Sequence, residues 1–183
     1  MPETPKGTVE LTDPRALRAL AHPTRLALVG LLRREGALTA SQAGERLGES
    51  PASCSFHLRQ LAKWGLVEEA GGGRGRERPW RATARYTSWS ASHSEAATAL
   101  STIIVERYFA LLLDWLERMP DEPQEWREAH QLGDVLVHLT PEELRELGGK
   151  IWELLTAYDP DRRPEGGRPV SFVYAAFPRD ETE

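Results

Sequence analysis

The stretch LTASQAGERLGESPASCSFHLRQLAKWGLVEE, Leu38 to Glu69, decides the fold, because two short helical segments stand in it separated by only a few residues. Thr39 is placed to cap the first, SQAGERL, and Gly48 to stop it. Ser50 and Pro51 then restart the chain as an N-cap and first helical residue. In the second helix a step of about 100° per residue sorts the side chains. Cys54, Leu58 and Leu61 fall on one face with His57 at its margin, while Ala52, Ser53, Phe56, Arg59, Gln60 and Lys63 point the other way. Apart from Phe56 the outward set is small, polar or basic, which suits a helix lying against base edges. Arg59 has the donors for guanine, Gln60 the amide for adenine, and Phe56 the apolar ring for a thymine methyl. Ser53 and the helix N-terminus, opened by Ser50, are suited to a phosphate.

The flanking sequence extends this pattern. Asp13 and Pro14 open a helix through Leu17 and Leu20, and HPTRLALVGLLRREG places Leu26, Leu28, Val29, Leu31 and Leu32 on a broad apolar face ended by Gly36. After Gly65 the chain reads as a hairpin, LVEEA and WRATA joined by GGGRGRERP. Arg74, Arg76 and Arg78 sit on that tip at every second position. Contact with phosphates or a minor groove accounts for them, and an ordinary solvated loop is the competing reading.

The runs ALAHPTRLALVGLL, LTASQAGERLGESPASCSFHLRQLAKWGLVEE and GGGRGRERPW, in that order, resemble the ArsR-type winged-helix transcriptional regulators of bacteria over about residues 11 to 86. The resemblance implies a homodimer on an inverted-repeat operator, with Ser50 to Lys63 as recognition helix and Gly71 to Trp80 as wing. Metal-sensing members of that family typically carry paired cysteines in the third helix or carboxylate and His ligands in a C-terminal helix. Here the third helix, SQAGERL, offers no ligand, so metal sensing does not come with the fold. Ala43 and Gly44 are small for packing positions, which predicts a loosely held third helix.

Cys54 and His57 at i, i+3 supply two metal ligands where three or four are needed, and His93, His130 and His138 lack ligand spacing. No metal site and no cofactor are expected. A small buried thiol is the simpler reading of Cys54, with redox chemistry as the alternative. His22, before Pro23, is expected to pack or cap, and His57 to be a hydrogen-bonding residue at the core margin.

Behind the wing, Ser92 and Glu95 read as a capping box opening a long helix to about Met119. Leu100, Ile104, Leu111, Trp115 and Met119 form a stripe widened by Ile103, Leu112 and Leu116. We read it as a subunit interface; packing against the rear half is the alternative. A polar linker, PDEPQEWREAHQ, precedes a strand-like DVLVHL, a helix opened by the Thr140 to Glu143 capping box with Pro141, and a final strand VSFVYAAFP. These make a small β-α-β unit of undetermined strand direction. Its aromatics, Trp126, Trp152, Phe172, Tyr174 and Phe177, suit either a core or a small-molecule effector site, and the unit could equally enlarge the dimer interface.

Composition bounds the whole. The 183 residues suffice for one large or two small domains, one cysteine excludes an intramolecular disulfide, and the start MPETPKGTVE lacks a secretory pattern. No stretch approaches roughly 18 consecutive apolar residues, so no membrane association and a cytoplasmic location are expected. The net charge of −5 divides unevenly: residues 1 to 85 carry 14 Lys/Arg against 9 Asp/Glu, net +5, and the remainder 9 against 19, net −10. An anionic partner is expected at the front alone, although two solvated surfaces would also satisfy charge. Phosphate-loop, nucleophile-elbow and H-E-x-x-H motifs are absent, so no enzyme and no catalytic residue is expected.

The sequence thus predicts a mainly α fold with small β: a winged helix-turn-helix DNA-binding domain over 11–91, then a long dimerisation helix and a small C-terminal β-α-β unit over 92–183. The expected function is a homodimeric repressor acting on double-stranded DNA, the alternative a winged-helix protein-protein interaction module without specific DNA binding.

Overall fold

The computed structural model describes residues 7–73, 78–89, 94–159 and 162–179. The chain forms two compact units, one over Lys6–Trp115 and one from Leu116 onward.

In the front unit each helix begins where local chemistry supplies a cap. Asp13 Oδ1 accepts from Arg15 N at 2.8 Å to open α1 (Pro14–Leu20), and His22 Nδ1 accepts from Thr24 N at 3.2 Å to open α2 (Pro23–Glu35). Helix α3 (Ala40–Leu47) starts with a full capping box, Thr39 Oγ1 accepting from Gln42 N and Gln42 Oε1 from Thr39 N. Ser50 Oγ accepts from Ser53 N at 3.1 Å to start α4 (Pro51–Ala62). Gly48 ends α3 at φ 67°, a left-handed conformation that glycine adopts without steric cost.

The sheets are small. Strands β2 (Val67–Glu69) and β3 (Trp80–Ala82) form an antiparallel wing with Glu69 opposite Trp80, and Leu38 bridges to Trp80 on its other edge. A second pair joins β1 (Thr8–Glu10) in parallel to β4 (Tyr86–Ser88). Half-buried Arg33 on α2 reaches this pair, donating from Nε to Ala84 O at 2.9 Å and from Nη2 to Thr87 Oγ1 at 2.6 Å. The core gathers Leu28, Leu31, Leu58, Leu61, Leu66 and Val67, all essentially inaccessible, and burial of such side chains is worth about 1.5 to 3 kcal/mol each.

Helix α3 is not loosely held. Ala43 is fully buried, and a Cβ on Gly44 would lie 2.6 Å from the backbone oxygen of Glu49. The missing side chain therefore lets the α3–α4 turn fold directly onto α3, with Glu49 N donating to Gly44 O at 2.9 Å. What looked like poor packing is a close approach of backbone to backbone.

Helix α5 spans Glu95–Arg118. Ser92 of the expected capping box lies outside the described residues; Ser94 Oγ accepts from Ala97 N at 3.1 Å instead. Ala96, Ala97 and Leu100 enter the front core, and Trp89 Nε1 donates to Ser101 Oγ at 3.0 Å. The 27 residues Glu95–Asp121 are long and apolar enough to cross a membrane by length and composition, although charged residues interrupt every apolar run in them. Glu106 and Arg107 at the midpoint oppose that use, since a charge at a bilayer centre costs about 2.5 to 3.5 kcal/mol on insertion scales.

The rear unit departs furthest from expectation. A short helix, α6 (Gln124–Ala129), forms inside the stretch read as linker, and α7 (Pro141–Thr156) starts at the expected Thr140–Glu143 capping box. No strand forms over 134–139 or 170–178, so among the described residues there is no β-α-β unit. Apolar residues make a segment able to pair, but pairing also requires an edge at matching register, and among the described residues neither segment is paired. Glu122 organises the start of the unit, bonded by Arg118 and by Arg168 Nη1 at 2.6 Å, while the Arg168 guanidinium lies 5.1 Å from the Trp126 ring.

Candidate nucleic-acid interface

Helix α4 is positioned by its inner face and presents its outer one. Cys54, Leu58 and Leu61 are fully buried, while Ala52, Phe56, Arg59 and Lys63 are exposed, Phe56 by 51%. Ser53 and Gln60 are half-buried on the flanks, and Ser50 is committed as the N-cap. Arg59 lies along the helix, its Nε donating to Ser55 O at 3.2 Å, which leaves the two Nη groups for an outside acceptor.

Beside this helix an open groove of about 440 Å³ is lined by Thr39, Ala40 and Ser41 from the start of α3, Ser55 and Arg59 from α4, and Glu69, Arg78 and Trp80 from the wing. Two successive helices and the wing thus share one concave face. Ser41 and Ser55 are not singled out by the sequence, and Thr39 reads only as the cap of a helix; nothing local says that this helix start would face α4's outer side. Of the expected wing residues, Arg74 and Arg76 lie outside the described residues. Arg78 is held by Glu69, its Nη1 donating at 3.0 Å to Oε1 and 3.3 Å to Oε2, and Arg81 pairs with Glu68 at 2.8 Å. The wing stem therefore alternates cations with carboxylates rather than presenting bare arginines.

Behind the interface lies a small polar joint. The His22 and His57 rings are 4.6 Å apart, and Thr24 Oγ1 donates to Glu49 Oε1 at 3.3 Å. His22 caps α2 as the sequence suggested. His57, by contrast, does not hydrogen-bond through Nδ1, which is buried without a partner; its ring contacts come from His22 and, at 5.2 Å, from Phe56. Burial first, then the positive charge of Arg25, lowers the pKa of both imidazoles, and Glu49 partly opposes this. Burial, followed by the charge of Glu49, pushes the Cys54 thiol up, so it stays protonated in the core. Among the described residues no group of three His, Cys, Asp or Glu side chains is placed to hold a metal ion.

Residues 20–70 match the family described as "Helix-turn-helix domain", the segment that carries α2, α3, α4 and the first wing strand. That match and the geometry support a DNA-binding regulator of winged-helix form. No curated relative matches the chain. Among solved structures the chain is similar to a homodimeric winged helix-turn-helix DNA-binding domain from Mycobacterium bovis, described as a possible ArsR-family regulator, with 21% identity over 68% of this chain and 85% of that one and a TM-score of 0.36. It is also similar to the transcriptional repressor BigR from Xylella fastidiosa (21%, 60% and 86%, TM-score 0.33) and to a MarR family regulator from Neisseria meningitidis (18%, 74% and 75%, TM-score 0.34).

Proposed function

We propose that the chain is a non-enzymatic, cytoplasmic transcriptional regulator that binds an inverted-repeat operator as a homodimer and acts as a repressor. The observation that carries this reading is the single concave face on which the outer side of α4, the start of α3 and the wing stem converge. Arg59, Gln60 and Phe56 read bases, Ser50, Ala52, Ser53 and Lys63 set the helix against the backbone, and Arg74, Arg76 and Arg78 grip phosphates. An exposed row on α5, Val105, Phe109 and Leu113 at i, i+4 and i+8, supports α5 as a subunit interface; it lies beside rather than on the Leu100 to Met119 stripe expected from sequence. The domain division follows function, 11–91 for DNA and 92–183 for dimerisation and control, with the acidic rear half kept from DNA and any small-molecule effector acting there.

Fluorescence anisotropy on selected genomic fragments and random duplex across a salt series tests the reading. Affinity is expected to fall steeply with salt for both DNAs. Arg59→Ala should cost about 1 to 3 kcal/mol on the selected fragment and relax one base position. If no fragment outcompetes random duplex at any salt concentration, the regulator reading is wrong.

A further inference from the structure

The rear unit carries an amphipathic helix and two apolar segments, and none of the burial that a folded layer would give them. Across the described residues from Leu116 onward not one side chain is buried. Helix α7 is amphipathic, yet its apolar side covers nothing completely. Segments 134–139 and 170–177 belong to no helix or strand, and no backbone hydrogen bond joins one to the other. Val135, Leu136, Val137, Phe172, Val173 and Phe177 each keep more than half of their surface exposed. With typical apolar side-chain areas these two segments alone offer roughly 1,000 Å², against about 300 to 600 Å² for the largest apolar patch of an ordinary monomer.

We propose that a second copy of this chain completes the rear unit, the strand-like segments of one protomer pairing with those of its partner and packing beneath the partner's α7. This rests on the homodimer reading above and goes beyond it by assigning a second, strand-mediated interface. The composition of the unit favours a copy over a foreign protein. The complementary pieces, an amphipathic helix lacking a sheet and two apolar segments that form no strand, are carried by the same chain and remain unmatched among its described residues. A twofold exchange satisfies both at once, because an isologous contact places each piece against its counterpart. The exposed area also meets the roughly 800 Å² per partner that a stable interface requires. Residues 86 to 183 carry a net charge of −10, so two such units repel at low salt. Screening therefore strengthens this association while it weakens binding to DNA.

Hydrogen exchange by mass spectrometry on the full chain, above and below the concentration at which it dissociates in sedimentation, tests the proposal. Amides of 134–139 and 170–177 should exchange at least tenfold more slowly in the dimer and lose that protection on dilution. Val137→Lys and Phe172→Lys should each weaken the dimer at least tenfold while leaving protection of α4 unchanged. A dimer in which these amides exchange freely, or protection that does not depend on concentration, overturns the inference and leaves the α5 dimer standing. A chain that sediments as a monomer throughout overturns both, and protected segments in a chain without DNA affinity overturn the DNA reading alone.

Discussion

Replacing Gly44 by alanine should destabilise the front unit, although the same change in a helix interior is ordinarily favourable by about 1 kcal/mol. Gly44 sits within α3 with ordinary helical geometry, so conformational freedom is not its role. A Cβ there meets Glu49 O at 2.6 Å and Pro51 N at 3.4 Å, both backbone atoms that no side-chain rotation can move. The turn must shift by about half an ångström, and forced displacement of packed structure costs about 1 to 3 kcal/mol. Strain on the Glu49 N to Gly44 O bond adds a share of the roughly 1 kcal/mol that such a bond contributes. After the helix-propensity gain, net destabilisation of about 1 to 2 kcal/mol remains. Gly30, in α2, is the control: nothing lies within 4 Å of its added Cβ, so Gly30→Ala should stabilise by about 0.5 to 1 kcal/mol. Urea melts of both variants, followed by circular dichroism and tryptophan fluorescence, should place their midpoints on opposite sides of the wild type. A Gly44→Ala protein as stable as Gly30→Ala would refute the close-approach argument.

Three further outcomes follow from the same geometry. Arg33→Ala removes two charge-assisted bonds to the β4 region and should cost about 2 to 3 kcal/mol in a urea melt, with faster exchange at the Tyr86 and Leu11 amides; unchanged stability would mean those bonds contribute nothing net. Glu69→Gln removes the carboxylate that holds Arg78, so affinity for random duplex should rise about threefold to tenfold and the salt slope steepen by about one phosphate, whereas lower affinity would mean that Glu69 orients Arg78 productively. Because the folded pKa values of His22 and His57 lie below the unfolded value, the unfolded chain binds more protons as pH falls; stability should be full above about pH 6.5 and decline beneath it. His22→Asn, which retains a capping oxygen, should flatten that decline in urea melts at pH 5.5 and 7.5, and an unaltered pH dependence would assign the titration elsewhere.

Much of the front unit was legible because its determinants are local. A hydroxyl or carboxylate before a proline, a Thr with Gln three residues on, and a glycine after the last turn each act within one turn of helix, so Asp13, Thr39, Ser50 and Gly48 could be assigned without knowing the fold. The division of α4 into buried Cys54 and Leu58 against exposed Phe56 and Arg59 follows equally from helical period. The candidate site was half readable for the same reason: α4's own residues announce themselves, while Thr39, Ser41 and Glu69 join them only through the packing of α3 and the wing.

Sequence by itself therefore determined where the first four helices start and which sides of α2 and α4 turn inward, since these depend on neighbours within four residues. Only the tertiary structure decided contacts between distant backbones. Parallel pairing of Thr8–Glu10 with Tyr86–Ser88 leaves no mark in a three-residue strand, and Gly44 looked like weak packing until Glu49 O was seen against it. The segments 134–139 and 170–178 make the same point from the other side. Short apolar runs specify a readiness to be buried, but the edge that would accept them is a property of the assembled molecule.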